Sequence, residues 1–171
     1  PMLEDALTTL RPKNIDAVVG IGGGAPLDLA KALAALIPTK SDPLDHLEVV
    51  GKGLPLTTNP LPFIAIPTTS GTGAEATKNA VIGVPEHRRK VSLRDDGMLA
   101  TLALIDPALT DHCPKAITLA SGLDAITQVI EPYISAKATP LTDALCKPAQ
   151  PQRHQAHKTQ KTPQAQTHPH P

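Results

Sequence analysis

Three consecutive glycines, Gly22 to Gly24, follow the apolar run AVVGI and lead straight into LDLAKALAALI. A strand, a glycine turn and a helix in that order can cradle a phosphate. Glycine lets the backbone approach an anion, and the helix points its unpaired N–H groups at it. Without Cβ atoms the three residues can adopt turn conformations closed to others. Pro26 falls in the first helical turn, where its missing N–H needs no partner. The same residues also suit a tight strand-to-helix turn that binds nothing. A second small-residue loop, TTSGTGAEAT, follows the apolar run PFIAIP. Further on, Asp124 and Gln128 are four residues apart, so on a helix they share a face, with Glu131 one turn beyond. Ser121-Gly122-Leu123-Asp124 also matches the S-x-x-D pattern of a capping box, which would place a helix start at Ser121.

The elements that must hold these residues follow from hydrophobic period. Residues 2 to 11 read as the end of an amphipathic helix, Ile15 to Ile21 as a fully buried strand, and Pro26 to Ile37 as the helix after the glycines. Residues 38 to 60 are rich in Pro, Thr, Asp and Gly and form a loop with a short helix near Leu44 to Val50. PFIAIP is a second strand. VIGV, a charged turn EHRRK and VSLRDDGMLATLALIDP come next, the last apolar part being another strand candidate. From Pro114 through LASGLDAITQVIEPYIS the pattern is helical. The expected fold class is α/β: a Rossmann-like parallel sheet with crossover helices, then the start of an all-helical domain.

Composition narrows the function classes. Sixteen basic and sixteen acidic residues cancel, so no global field draws in nucleic acid or an anionic membrane. Phe63 and Tyr133 are the only aromatic residues, too few for a base-stacking platform. Cys113 and Cys146 show no paired spacing, which suits a reducing cytoplasm better than a disulfide framework. No secretory signal or long apolar span is present. The segment from Lys147 to Pro171 has no Val, Ile, Leu, Phe, Tyr or Met; it is expected to be disordered. His154 and His157, and His168 and His170, have spacings that could pick up a metal, but nothing in the segment would hold their imidazoles in a geometry. The abrupt change after Cys146 reads as a shifted frame. The Pro-Met start, inside a helix-like run, suggests that an N-terminal part is missing.

Taken together, Gly22 to Lys31, Pro67 to Glu75, Lys90 within RRKVSL, and Gly122 to Gln128 resemble the iron-containing, group III alcohol dehydrogenases. Members of that family show GGGSxxDxxK, PTTxGTGSE, a Lys some twenty residues on, and GxDAxxH. IDPALT and YISAKATPLTDALC are similar to the family as well, so the resemblance spans nearly all of residues 1 to 146.

The resemblance implies hydride transfer between an alcohol or aldehyde and NAD or NADP, assisted by a divalent iron or zinc. Gly23, Gly24 and Ala25 would face the pyrophosphate, with Asp28 and Lys31 fixing the turn. Thr68 and Thr69 would line the nicotinamide side with Thr77 close by, and Lys90 would reach the ribose region. Asp124 and Gln128 would be two of the metal ligands. The family usually has Ser where Ala25 stands, and His where Gln128 stands; an amide oxygen is the poorer ligand for a late divalent metal. Read without the resemblance, Asp28 and Lys31 lie on a solvated helix face, TTSGT is an ordinary polar loop, and Lys90 is one cation of a basic turn. The implied domains are residues 1–112, a partial dinucleotide-binding domain; 113–146, the start of a helical metal-binding domain; and 147–171, the tail. With further ligands and the adenosine-side strands expected outside the sequence, the chain is expected to be inactive by itself, and poorly soluble or reliant on partners, a second copy of itself in a homo-oligomer among them. The alternatives are a nucleotide-binding or interaction module without turnover, and the product of a damaged gene.

Overall fold

A computed structural model describes residues 1–147; the expectations placed on the remaining tail and its four histidines lie outside the described residues. The chain divides into two units, one spanning Pro1–Pro114 and the other beginning at Lys115.

The first unit is built around one helix. Strand β1 (Val18–Gly22) runs into α2 (Gly24–Leu36), preceded in the chain by α1 (Met2–Leu10). α2 is Ala- and Leu-rich around its whole circumference, and seven of its residues are buried. Such a helix is covered on more than one side. Leu27, Ala30 and Ala34 pack with Phe63, Ala65 and Ala74 against a three-stranded sheet. Ala32, Ala35 and Leu36 pack with Leu3 and Leu7 of α1, and with Ala80, Val84, Val91, Leu93 and Met98.

The sheet has the order β1-β2-β5, with β2 at Phe63–Pro67 and β5 at Leu102–Ala103. Both pairings are parallel; β1 meets β2 from Val18↔Phe63 to Gly22↔Pro67. β1 starts at Val18 and not at Ile15, because its partner begins only after Pro62, which has no N–H to give a ladder. Nor is β1 buried on both faces. Gly20 lies under α2, whereas Val19 and Ile21 are 54% and 61% exposed, since alternate side chains point to opposite faces of a sheet.

Helix α2 is the expected crossover between β1 and β2. The connection from β2 to β5 is different: it carries an antiparallel hairpin, β3 (Asn79–Val84) with β4 (Arg89–Arg94). Ala80, Val84, Val91 and Leu93 alternate onto one buried face of this ribbon, which lies on α2. The loop at residues 38–60 includes the short α3 (Pro43–His46), capped by Asp42 through the Leu44 amide at 2.9 Å.

In the second unit, α4 spans Lys115–Ile134, and residues 140–147 are also helical. The capping-box reading of Ser121 does not hold. Ser121 lies well inside α4, where its hydroxyl donates back to the Ile117 carbonyl at 2.9 Å. No helix among the described residues is long and apolar enough to cross a membrane.

Candidate functional site

The glycine turn joins β1 to α2, and each glycine has its own reason to be there. Gly22 has φ +148°, a backbone that side chains rarely adopt. Gly23, the residue before the helix, has φ −77°, so conformation does not demand glycine there. Proximity does: a Cβ on Gly23 would lie 3.1 Å from the Thr69 methyl, and one on Gly24 would lie 3.2 Å from the Thr72 methyl. The expectation that all three glycines serve unusual turn angles is therefore corrected. One bends the chain, and two admit the second loop.

That second loop begins where β2 ends. The Thr68 amide donates to the Gly22 carbonyl at 2.9 Å, extending the β1–β2 ladder into both loops. Gly71 and Gly73 take φ values of +144° and +64°, which turn the chain back before a short 3-10 turn at Ala74–Ala76. The two loops meet at the ends of adjacent parallel strands, where α/β sheets hold their ligands. No side chain caps α2, and its first-turn amides, among them those of Gly24 and Ala25, have no acceptor within the helix. Beside them the Thr69 hydroxyl is buried and has no hydrogen-bond partner. An orphaned buried hydroxyl next to an uncapped helix start matches a site for an anionic, hydrogen-bonding group.

Asp28 and Lys31 face inward, contrary to a solvated helix face. The Asp28 carboxylate accepts the Val81 amide of β3 at 3.1 Å. Burial raises its pKa above 3.8, partly offset by that hydrogen bond and by Lys31. Lys31 is 1% exposed. Its ammonium donates to the carbonyls of Ala74 (2.6 Å), Thr77 (2.8 Å) and Asn79 (3.0 Å), and to the Thr77 hydroxyl (3.0 Å). Burial lowers its pKa below 10.5, against the attraction of Asp28 and Glu75. Thr77 is thus engaged by Lys31 and by the Ala74 carbonyl, which its hydroxyl meets at 3.3 Å. Lys90 is exposed on β4, opposite Gly83.

Lys31 stands in the sequence as a lone cation inside LDLAKALAALI, but nothing there announces the distant carbonyls that bury it. Thr72 carries no signal of its own in the sequence, and only the fold brings it against Gly24.

In the second unit, Asp124 and Gln128 share an exposed face of α4, as their spacing requires. The Gln128 amide donates to Asp124 Oδ2 at 3.0 Å. Among the described residues no group of three or more His, Cys, Asp or Glu side chains is placed to hold a metal ion. A carboxylate and an amide on one helix face fall short of the three or four ligands such a centre takes. The described donor set does not fit a complete metal site.

The iron-containing alcohol dehydrogenase family model matches residues 1–107. Long-chain-alcohol dehydrogenase 1 of Geobacillus thermodenitrificans is 40% identical over 142 residues, covering 83% of this chain and 35% of that protein. Among solved structures, an iron-containing alcohol dehydrogenase of Thermotoga maritima superposes with a TM-score of 0.81 at 33% identity, over 93% of this chain and 43% of that one. Sulfoacetaldehyde reductase of Bifidobacterium kashiwanohense, solved in complex with NAD+, gives a TM-score of 0.77 at 28% identity, over 93% and 44% of the two chains. The chain thus spans little more than a third of the length of this curated relative.

Proposed function

Since the chain belongs to the iron-containing alcohol dehydrogenase family, we propose that its first unit binds the pyrophosphate and nicotinamide portion of NAD or NADP for hydride exchange with a small alcohol or aldehyde. The observation that carries this is the orphaned Thr69 hydroxyl, buried against Gly23 beside the uncapped start of α2. The Gly23, Gly24 and Ala25 backbone would hold the pyrophosphate, the helix start supplying amides and a positive dipole end. Loss of the family's Ser at position 25 removes one side-chain hydrogen bond, about 0.5–1.5 kcal/mol, and leaves the backbone donors. Thr69 would donate its hydroxyl to the bound group, and Thr68 would keep the two loops in register. Thr77 supports that loop through Lys31 and Ala74, and Lys90 is assigned to the ribose region. When bound, the nicotinamide supplies a hydride acceptor for the alcohol carbon.

Asp124 and Gln128 are assigned as two donors of an incomplete metal set, and no catalytic step is routed through them. This chain by itself is accordingly assigned coenzyme binding without turnover. The test is a calorimetric titration with NAD+, NADP+ and NADH, followed by assay with primary alcohols in the presence of Fe2+ or Zn2+. Saturable dinucleotide binding and no alcohol-dependent NADH formation are expected. Absence of binding overturns the site; metal-dependent reduction of NAD+ by an alcohol overturns the assignment without turnover.

A further inference from the structure

We propose that Lys31 is a positioning residue that acts as a tethered cation. Its ammonium fills a nest of four oxygens and, with Asp28, fastens residues 74 to 81 to α2, so that the Thr69–Thr72 segment stays against the glycine turn. The consequence for coenzyme rests on the function proposed above; the nest does not.

The geometry is that of a small cation's coordination shell. Four oxygens, three of them backbone carbonyls, lie 2.6 to 3.0 Å from Nζ. An ammonium has only three protons to share among them. No carboxylate lies in this shell, so what gathers the turn is an ion's field acting on peptide dipoles. Ammonium and potassium ions have the size and charge to occupy the same place. One turn earlier on the same helix face, Asp28 takes the Val81 amide. A cation therefore holds the carbonyl side of the segment and an anion holds its amide side. Immediately upstream lies the loop whose threonine methyls come within 3.1 and 3.2 Å of the Cβ positions that Gly23 and Gly24 lack. Ala74, whose carbonyl makes the shortest bond to Lys31, is itself buried with Leu27 and Ala30 of α2. A turn released from Lys31 would let Thr69 and Thr72 move away from the glycines.

The experiment compares wild type, Lys31→Ala, which empties the nest, and Lys31→Met, which fills it with an apolar chain. Thermal unfolding is followed in ammonium, potassium and choline chloride at equal ionic strength, and NADH is titrated in each. Ammonium and potassium should each raise the Tm of Lys31→Ala by several degrees over choline and leave wild type and Lys31→Met unmoved. NADH binding should weaken about tenfold or more in both variants and recover only in Lys31→Ala, with either of those cations. No gain in Lys31→Ala from ammonium or potassium over choline overturns the proposal. If wild type binds no NADH, the coenzyme reading fails, and the Tm comparison still decides the nest. If Lys31→Ala is unfolded in choline, recovery of the folded chain in ammonium is scored instead. In wild type, the 15N-labelled Lys31 ammonium should give a slowly exchanging resonance; bulk-like exchange overturns the proposal without any variant.

Discussion

Thr69→Val should move stability and coenzyme affinity in opposite directions. The substitution keeps the side chain's shape and removes a hydroxyl that is buried without a partner. A buried polar group left unsatisfied costs about 1–3 kcal/mol, so the free chain should gain about that much. For a unit of this size, Tm should rise about 3–5 °C per kcal/mol. The bound chain should lose. A hydrogen bond from this hydroxyl to a charged coenzyme group is worth about 1.5–3 kcal/mol, which weakens Kd roughly ten- to hundredfold. Differential scanning calorimetry of the ligand-free chain gives the first quantity, and isothermal titration with NADH the second. A fall in Tm would show that the hydroxyl has a partner in the free protein. An unchanged Kd would show that the coenzyme does not reach Thr69, and the site reading would fail at its central residue.

Gly20→Ala should destabilise the first unit by about 1–3 kcal/mol, because the new methyl would stand 2.8 Å from Ala30 Cβ and 3.1 Å from the Phe63 ring; urea unfolding measures this, and a neutral result would mean that α2 does not sit so close to β1. Asp28→Asn tests the carboxylate's burial. Because burial raises its pKa above 3.8, the folded wild type binds more protons than the unfolded chain between 3.8 and that raised value, and its stability falls as pH rises through that window. Asp28→Asn lacks this loss, so its stability relative to wild type should rise as pH climbs from below 3.8 through the folded carboxyl's titration; the opposite slope would contradict it. Gln128→His should tighten Zn2+ binding measured by calorimetry, because imidazole is the better ligand beside Asp124 at this i,i+4 spacing. Equal affinities would show that this face of α4 is not oriented toward a metal.

How far the fold could be read from residues alone depends on where each signal lives. GIGGGAPLDLAK carries strand, turn and helix in one contiguous stretch, and PFIAIP is bounded by prolines that fix both of its ends. The hairpin was harder. Its turn runs through Pro85–His87 and places Arg88 at φ 49°, with none of the Asn-Gly or Gly signals that mark short hairpin loops. The charged turn EHRRK is legible between VIGV and VSLR, but nothing in the two arms marks them as an antiparallel pair. The S-x-x-D pattern at Ser121 has a related limit: four residues say nothing about a helix already running from Lys115. At the site, local motifs pointed to both loops and to Thr69. They did not show that Lys31 turns inward, because its acceptors lie about 45 residues further along the chain and three are backbone carbonyls that no residue type announces. The i,i+4 pair on α4 was readable; a complete ligand set, which needs several elements, was not.

The position of α2 between two cores has a consequence for how the first unit comes apart. The parallel sheet and the hairpin are separate sheets, and a structure of that kind could open one half at a time. Here both halves bury their apolar faces on opposite sides of a single helix, so neither can leave without exposing a buried face of the helix on which the other rests. Slow-exchanging amides of β1 and β2 should therefore share one opening free energy with those of β3 and β4, making the unit a single cooperative block. A dinucleotide held only at the glycine turn would then slow hydrogen exchange across the distant hairpin as much as in the strands that touch the turn.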